Sequence, residues 1–177
     1  MVYSYRSKIH LAEVALNVRD LARQTAFFTQ VLGLKILSQS DQDVVLGAGE
    51  KALVHLLQTP QNEKVKESYG LYHMAILLPS REDLADVFKH IAELNVPFVG
   101  AADHGYSEAL YLEDPEGNGI ELYRDKPMAD WDIREDGRII GVTEELSAQE
   151  IYDMGRQMDP FVITSDTRMG RQAVSQP

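Results

Sequence analysis

The chain contains no cysteine. This absence excludes disulfides, thiolate-bound zinc, iron–sulfur clusters and a cysteine nucleophile. Any metal ion would therefore bind through nitrogen and oxygen ligands alone. A sequence without cysteine is also typical of the cytoplasm, where we expect this protein to act.

Long apolar runs and basic residues are scarce as well. No run approaches the roughly 20 apolar residues that span a bilayer, and the first residues have no apolar segment with a small-residue cleavage site. We therefore expect neither a membrane partner nor a signal peptide. The 17 Lys and Arg residues against 28 Asp and Glu residues give a formal net charge of -11. This negative field repels phosphate backbones, so we expect no nucleic-acid partner.

A pattern that occurs twice dominates the rest of the sequence. In each half, an alternating strand is followed by an amphipathic helix and then by three short strand-like runs. The expected helix N-caps are Asp20 and Ser80. Sliding one half over the other by about 60 residues places Val14 on Met74. The sequence therefore predicts two βαβββ modules, at about residues 8–58 and 71–126.

The predicted fold class is α+β. Two curved modules pair most simply into one open, cup-shaped mixed β-sheet, with the helices on its outside. This domain would cover residues 1–126. Residues 127–177 are predicted to be a linker-like tail with a short strand at about 138–143 and a short helix. That helix should begin after Ser147 and end at Gly155.

Four side chains that can bind metal occupy equivalent places in the two modules. They lie on the first and last strands of each copy: Glu13 and His55 in one, His73 and Glu121 in the other. If the sheet closes into a cup, all four can point at a common centre. Two carboxylates and two neutral imidazoles balance one divalent ion and suit Fe(II), Mn, Co, Ni or Zn. The two His residues with Glu121 alone form the ligand type of non-haem Fe(II) oxygenases.

Other interpretations of single residues stay open. A lone His in a strand is more often a core or surface residue than a ligand, and Glu13 can pair with Lys8 or Arg6 at a strand edge. His104, on a loop before a strand, is either a general acid/base or a solvated residue. Glu13 and His104 are the candidate catalytic residues, as groups that would move a proton. Tyr111 is predicted to serve packing, or to hydrogen-bond a substrate oxygen if it faces the cup.

These residues resemble the vicinal oxygen chelate superfamily, which includes glyoxalase I, bleomycin-resistance proteins and extradiol ring-cleaving dioxygenases. The resemblance covers residues 8 to about 126. Its matching strings are Glu13-Val14-Ala15-Leu16-Asn17-Val18-Arg19-Asp20-Leu21, Gly70-Leu71-Tyr72-His73-Met74-Ala75 and, most specifically, Asp114-Pro115-Glu116-Gly117-Asn118-Gly119-Ile120-Glu121-Leu122-Tyr123. Within the superfamily, residues 70–79 and 107–112 are most similar to bacterial catechol-2,3-dioxygenase-like proteins.

The resemblance implies a divalent metal ion that holds two vicinal oxygens of a small aromatic or hydroxy-carbonyl substrate. His73 and Glu121 match the second-module ligands of the family. Glu13 stands where many members have His, and His55 stands where glyoxalase I has Glu. The implied activity is that of an extradiol dioxygenase or a glyoxalase I-type lyase. The alternative is a non-catalytic binding or structural domain of the bleomycin-resistance type.

The tail has a counterpart in the relatives that have four modules. Residues 165–170 resemble the lead-in to their second pair of modules, which this sequence lacks. A natural truncation, a gene fragment and a stand-alone domain all fit this pattern. Because the surface that the second pair would cover needs a partner, we expect a homodimer about a two-fold axis. Part of the tail 127–177 should lie in its interface.

Overall fold

The computed structural model describes residues 11–60 and 71–170, and the backbone of Ala173–Val174. The strands are β1 (Val14–Val18), β2 (Lys35–Gln39), β3 (Asp43–Ala48), β4 (Lys51–Gln58), β5 (Leu71–Leu77), β6 (Phe98–Asp103), β7 (Ser107–Glu113), β8 (Gly119–Asp125), β9 (Glu144–Glu145), β10 (Arg168–Met169) and β11 (Ala173–Val174). The helices are α1 (Leu21–Ala26), which continues as a π-helical turn over Phe27–Val31, α2 (Arg81–Glu93) and α3 (Ala148–Met154). None of the helices in these ranges has the length and apolar content needed to cross a membrane.

The two modules have the same topology. The first strand of each pairs in parallel with the last, β1 with β4 and β5 with β8, and the two middle strands follow antiparallel. The registers show that the copies are equivalent, because Ala15 lies opposite His55 as Ala75 lies opposite Glu121. The predicted fold class, α+β with two βαβββ modules, is confirmed.

The strands form two sheets rather than the one continuous sheet that we predicted. The first has the order β1-β4-β3-β2, and the second has the order β10-β5-β8-β7-β6-β9, with β11 also paired to β5. On the side of β5 away from β8, the strand edge is thus taken by Arg168–Met169 and Ala173–Val174. Because these short strands occupy that edge, β5 does not continue into the first sheet.

The predicted helix caps are in place. The side chains of Asp20, Ser80 and Ser147 each accept a hydrogen bond from the backbone N–H three residues later. This contact satisfies one of the donors that a helix leaves unpaired at its start. Gly155 follows the last residue of α3, as its position in the sequence predicted.

One continuous core extends through both modules and into the tail. Phe28 and Ile76, from the first and second modules, are fully buried in it. Four residues of the tail belong to the same core: Leu146, Ile151, Ile163 and Met169. Part of the segment 127–177 is therefore packed as firmly as the modules themselves.

Residues 155–170, which we call the strap, connect the second module to the first. At one end, the backbone N–H of Arg156 donates to the buried carboxylate of Asp86 in α2 at 2.7 Å, and the Arg156 guanidinium donates to it as well. Farther along, the N–H of Ile163 donates to the carbonyl of Gly33 at 3.1 Å. The strap is thus fixed to both modules.

Glu116, in the turn between β7 and β8, also joins the modules. Its carboxylate accepts the backbone N–H of Arg19 at 2.8 Å and that of Asp20 at 3.0 Å, and the Arg19 guanidinium at 3.2 Å. Burial alone would raise the pKa of Glu116, but these hydrogen bonds lower it below its ordinary value. A carboxylate of this kind stabilises the fold above its unfolded pKa, and the contribution is lost as the pH falls through the folded pKa.

We therefore expect the free energy of unfolding to decrease as the pH falls below 4.5, the ordinary pKa of this carboxyl. Glu116→Gln should flatten that part of the pH profile, since glutamine does not titrate. Urea unfolding between about pH 3 and 7 measures both. Glu113→Gln, at an exposed position of β7, is the control. A Glu116→Gln profile parallel to that of the wild type would contradict the assignment.

Candidate metal centre

His73 and Glu121 lie side by side on the neighbouring parallel strands β5 and β8. The Nε2 atom of His73 is 2.9 Å from Oε2 of Glu121, and the side chains are only 14% and 13% exposed. His73 pairs with Gly119 and Ala75 pairs with Glu121, so the two side chains are diagonal neighbours on one face of the sheet. The structure thus brings together two of the four predicted ligands.

The surroundings of the pair are largely apolar. The same face of the second sheet buries a small cluster made of Ala75, Leu77, Ala109 and Tyr123, with Tyr111 packed against it. Beside His73 there is a cavity of about 310 Å³, whose lining includes Tyr72, Val99, Tyr111, Leu112 and Ile120. Polar groups in such surroundings need partners. Here the His73 imidazole and the Glu121 carboxylate are partners of one another.

A chain of contacts leads away from the carboxylate. The Tyr111 hydroxyl donates to Oε1 of Glu121 at 2.9 Å, and Nε2 of His104 lies 2.8 Å from the same hydroxyl. The other ring nitrogen of His104, Nδ1, is 3.0 Å from the carbonyl oxygen of Val142. Because a carbonyl can only accept, Nδ1 of His104 must carry a proton.

The three hydrogen bonds of this chain need three protons. A neutral His104 and Tyr111 supply two, so Tyr111 then donates either to His104 or to Glu121. All three bonds form together only when His104 or Glu121 carries one proton more. Burial and the negative charge of Glu121 raise the pKa of Tyr111 above its ordinary value, which keeps its hydroxyl protonated at neutral pH.

Glu13 and His55 lie apart from this pair. Glu13 is exposed and precedes the first residue of β1, and its predicted partners Lys8 and Arg6 fall outside the described residues. His55 has its Nε2 atom 3.6 Å from a carboxylate oxygen of Asp43. In the part of the chain that the structure describes, no three His, Asp or Glu side chains are close enough to hold a metal ion.

The described side chains therefore assemble neither the predicted four-ligand centre nor the predicted set of two His residues and one carboxylate. The order of the strands in the two sheets gives the reason. His55 does occupy, in its own module, the place that Glu121 occupies in the other. Residues at equivalent places would face one centre if the two sheets joined edge to edge at β5. That edge of β5 is already occupied by β10 and β11.

The pair fits part of the coordination sphere of a divalent ion. Nitrogen and oxygen ligands lie about 2.0–2.2 Å from such ions, so two ligands at right angles are about 3 Å apart. The 2.9 Å separation of His73 Nε2 and Glu121 Oε2 agrees with this. The buried Nδ1 atom of His73 has no hydrogen-bond partner among the described atoms. The two residues thus offer one nitrogen and one oxygen ligand.

Tyr111 has a larger part in the site than the predicted packing role. A turn at residues 114–118 joins β7 to β8 and places Glu113 opposite Gly119, so Tyr111 stands opposite Glu121. Counting outward from this turn along both strands would have found the contact.

Comparison with known proteins gives a consistent family. Residues 10–122 match the Glyoxalase/Bleomycin resistance protein/Dioxygenase superfamily. The chain is 32% identical to a catechol-2,3-dioxygenase of Bacillus subtilis (strain 168) over 170 residues. This alignment covers 94% of this chain and 59% of that protein. It is 25% identical to a lactoylglutathione lyase of Escherichia coli O157:H7 over 127 residues. This second alignment covers 67% of this chain and 94% of that protein.

A solved structure has the same fold. The glyoxalase/bleomycin resistance protein/dioxygenase from Alicyclobacillus acidocaldarius superposes with a TM-score of 0.55 at 18% identity, over 69% of this chain and 96% of that one. The chain spans only 59% of the length of the catechol-2,3-dioxygenase. The family match includes both modules and ends just after Glu121. The chain belongs to the glyoxalase/bleomycin resistance protein/dioxygenase superfamily.

Proposed function

We propose that this protein is a metal-dependent member of the superfamily, related to extradiol dioxygenases, in which His73 and Glu121 hold a divalent ion. The observation that carries the proposal is the buried 2.9 Å contact between these two side chains. Fe(II), Mn, Co, Ni and Zn all accept one imidazole and one carboxylate ligand. When bound, the ion would act as a Lewis acid on two vicinal oxygens of a small aromatic or hydroxy-carbonyl substrate.

The residues around the pair support a small substrate. A cavity of about 310 Å³ is at the low end of the size range of small-molecule sites. Tyr72 and Val99 offer it an apolar rim, and Tyr111 is part of its lining. Of the two candidates for proton transfer, His104 is connected to the site through Tyr111, whereas Glu13 is exposed outside β1. We therefore favour His104 for holding or moving a proton at the Tyr111 oxygen.

Metal titration tests the proposal. Chelator-treated protein is titrated calorimetrically with Mn(II), Co(II), Ni(II) and Zn(II), and with Fe(II) under anaerobic conditions. We expect His73→Ala and Glu121→Ala to weaken binding at least about tenfold, since each removes a ligand. Glu13→Ala and His55→Ala are the matched controls. Losses in these two that equal the loss in His73→Ala would instead support the four-ligand centre. A wild-type protein that binds none of the metals would refute the proposal.

One observation favours a second candidate, a non-catalytic binding or structural domain. Only two side chains of the predicted ligand set meet among the described residues. Such a domain would bind a small aromatic molecule in the cavity beside His73 without an ion. Quenching of Trp and Tyr fluorescence by catechol measures this binding. Quenching that is the same with and without chelator, in protein that binds no metal, would support the second candidate.

We also propose a homodimer. Part of the tail was expected in its interface, but Ile151 of the tail is fully buried in the core of its own chain. The exposed edge strand β2 offers Ile36 and Leu37, 45% and 38% exposed, as an alternative apolar surface. We expect light scattering at micromolar concentration to give about twice the 19.9 kDa chain mass. Ile36→Glu should shift the protein towards monomer, and Val99→Glu, at an exposed position outside β2, is the control. A wild-type monomer would contradict the dimer.

A further inference from the structure

The hairpin at residues 131–143 lies beyond the residues that match the superfamily, yet it contacts the candidate centre. Its two arms are joined by a β-bridge between Ile133 and Ile139. At its end, the Val142 N–H donates to the carbonyl of His104 at 3.2 Å, and the Val142 carbonyl lies 3.0 Å from Nδ1 of the His104 ring. The hairpin thus holds both the backbone and the ring of this residue.

We propose that Val142 is a positioning residue, whose carbonyl fixes the ring tautomer of His104 and thereby the division of the Tyr111 hydroxyl proton between His104 and Glu121. A neutral imidazole has one proton, which an unrestrained ring distributes over both nitrogens. The Val142 carbonyl accepts a hydrogen bond from Nδ1–H of His104. This bond keeps the ring proton on Nδ1. The role of Glu121 as a ligand rests on the proposed function, whereas the tautomer does not.

The fixed tautomer matters because of what faces the other nitrogen. Nε2 of His104 then acts as an acceptor and lies 2.8 Å from the Tyr111 hydroxyl, while Oε1 of Glu121 lies 2.9 Å from the same oxygen. Two acceptors therefore share one hydroxyl proton. In the other tautomer, His104 would donate to Tyr111, and the hydroxyl proton would go to Glu121 alone. Partners of this kind behind a metal ligand change metal affinity about 10- to 100-fold.

The hairpin is held close by aromatic packing. The Tyr106 ring stacks on His104 with ring centroids 6.2 Å apart and meets Trp131 edge-on, also at 6.2 Å. A Cβ atom added at Gly141 would lie 2.9 Å from the Tyr106 ring. A larger residue there must therefore displace either the ring or the hairpin.

The experiment uses the full chain with Gly141→Ala and Val142→Pro. Proline removes the N–H that donates to the His104 carbonyl. Ring nitrogen shifts of His104 in metal-free protein, measured by ¹⁵N NMR, report the tautomer, and calorimetry with Mn(II) alone reports the affinity. We expect only the Nδ1–H form in the wild type and a mixture of forms in both variants. The affinity should then rise, by up to about tenfold, because the Tyr111 proton goes to Glu121 alone in the second form. Gly100→Ala, whose added methyl group meets nothing within 4 Å, should change neither.

A wild-type tautomer in both folded variants would overturn the proposal. If the variants change the tautomer but the wild type binds no Mn(II), the positioning role of Val142 is retained. That result would count against Mn(II) as the ion of the proposed function. Tyr111→Phe keeps the proposal testable if either hairpin variant fails to fold. It should preserve the His104 tautomer and lower the affinity, and an unchanged affinity would overturn the link to Glu121.

Discussion

Glu108→Gln is expected to lower the free energy of unfolding by about 3–5 kcal/mol. Glu108 lies on β7 and is 4% exposed. Its carboxylate accepts hydrogen bonds from the guanidinium groups of Arg81 at 2.9 Å and Arg124 at 2.7 Å. Glutamine preserves the size of the side chain but removes its charge. The two guanidinium groups, of which that of Arg124 is nearly buried, would then lose the counter-charge between them.

Urea unfolding of the variant measures this loss. The matched control is Glu113→Gln, the same substitution on the same strand at an exposed position. It should stay within about 0.5 kcal/mol of the wild type. If Glu108→Gln also stayed within that margin, the carboxylate would not be the counter-charge that its contacts indicate.

Ile151→Ala is expected to cost about 2–5 kcal/mol. Ile151 is fully buried on α3, a helix that packs against α2 although it lies beyond the residues matched to the superfamily. Removing its outer carbons leaves a cavity that the surrounding core cannot close. Thermal or urea unfolding checks this. Met154→Ala, on the same helix and 39% exposed, should cost much less, and equal costs would show that the tail is not part of the core.

The sequence predicts the parts of this fold that rest on local patterns. Alternation over 14–18 and the Ser80 cap depend on neighbouring residues only, so β1 and the start of α2 could be found. The strands β10 and β11 could not, because pairs of two residues show no alternation and depend on the distant edge of β5. The strand predicted at 138–143 is one arm of the hairpin, with a β-bridge at Ile139.

In the candidate site, too, some contacts could be predicted from local sequence patterns and others could not. The contact between His73 and Glu121 follows from the strand phases and from the parallel pairing within one module. Whether Glu13 and His55 join them depends on how the two sheets meet, which no strand phase encodes. The contact of His104 with Val142 spans 38 residues and uses a backbone carbonyl, a group that every residue has. Residue types alone therefore could not indicate it.

The strap makes the two modules inseparable in unfolding. Asp86 in the second module and Gly33 in the first are both hydrogen-bonded to it, and Ile163, whose N–H donates to Gly33, is buried in the common core. Neither copy can open without releasing a segment that also stabilises the other. An internal repeat often allows stepwise melting, copy by copy. Here the strap couples the copies into one cooperative unit.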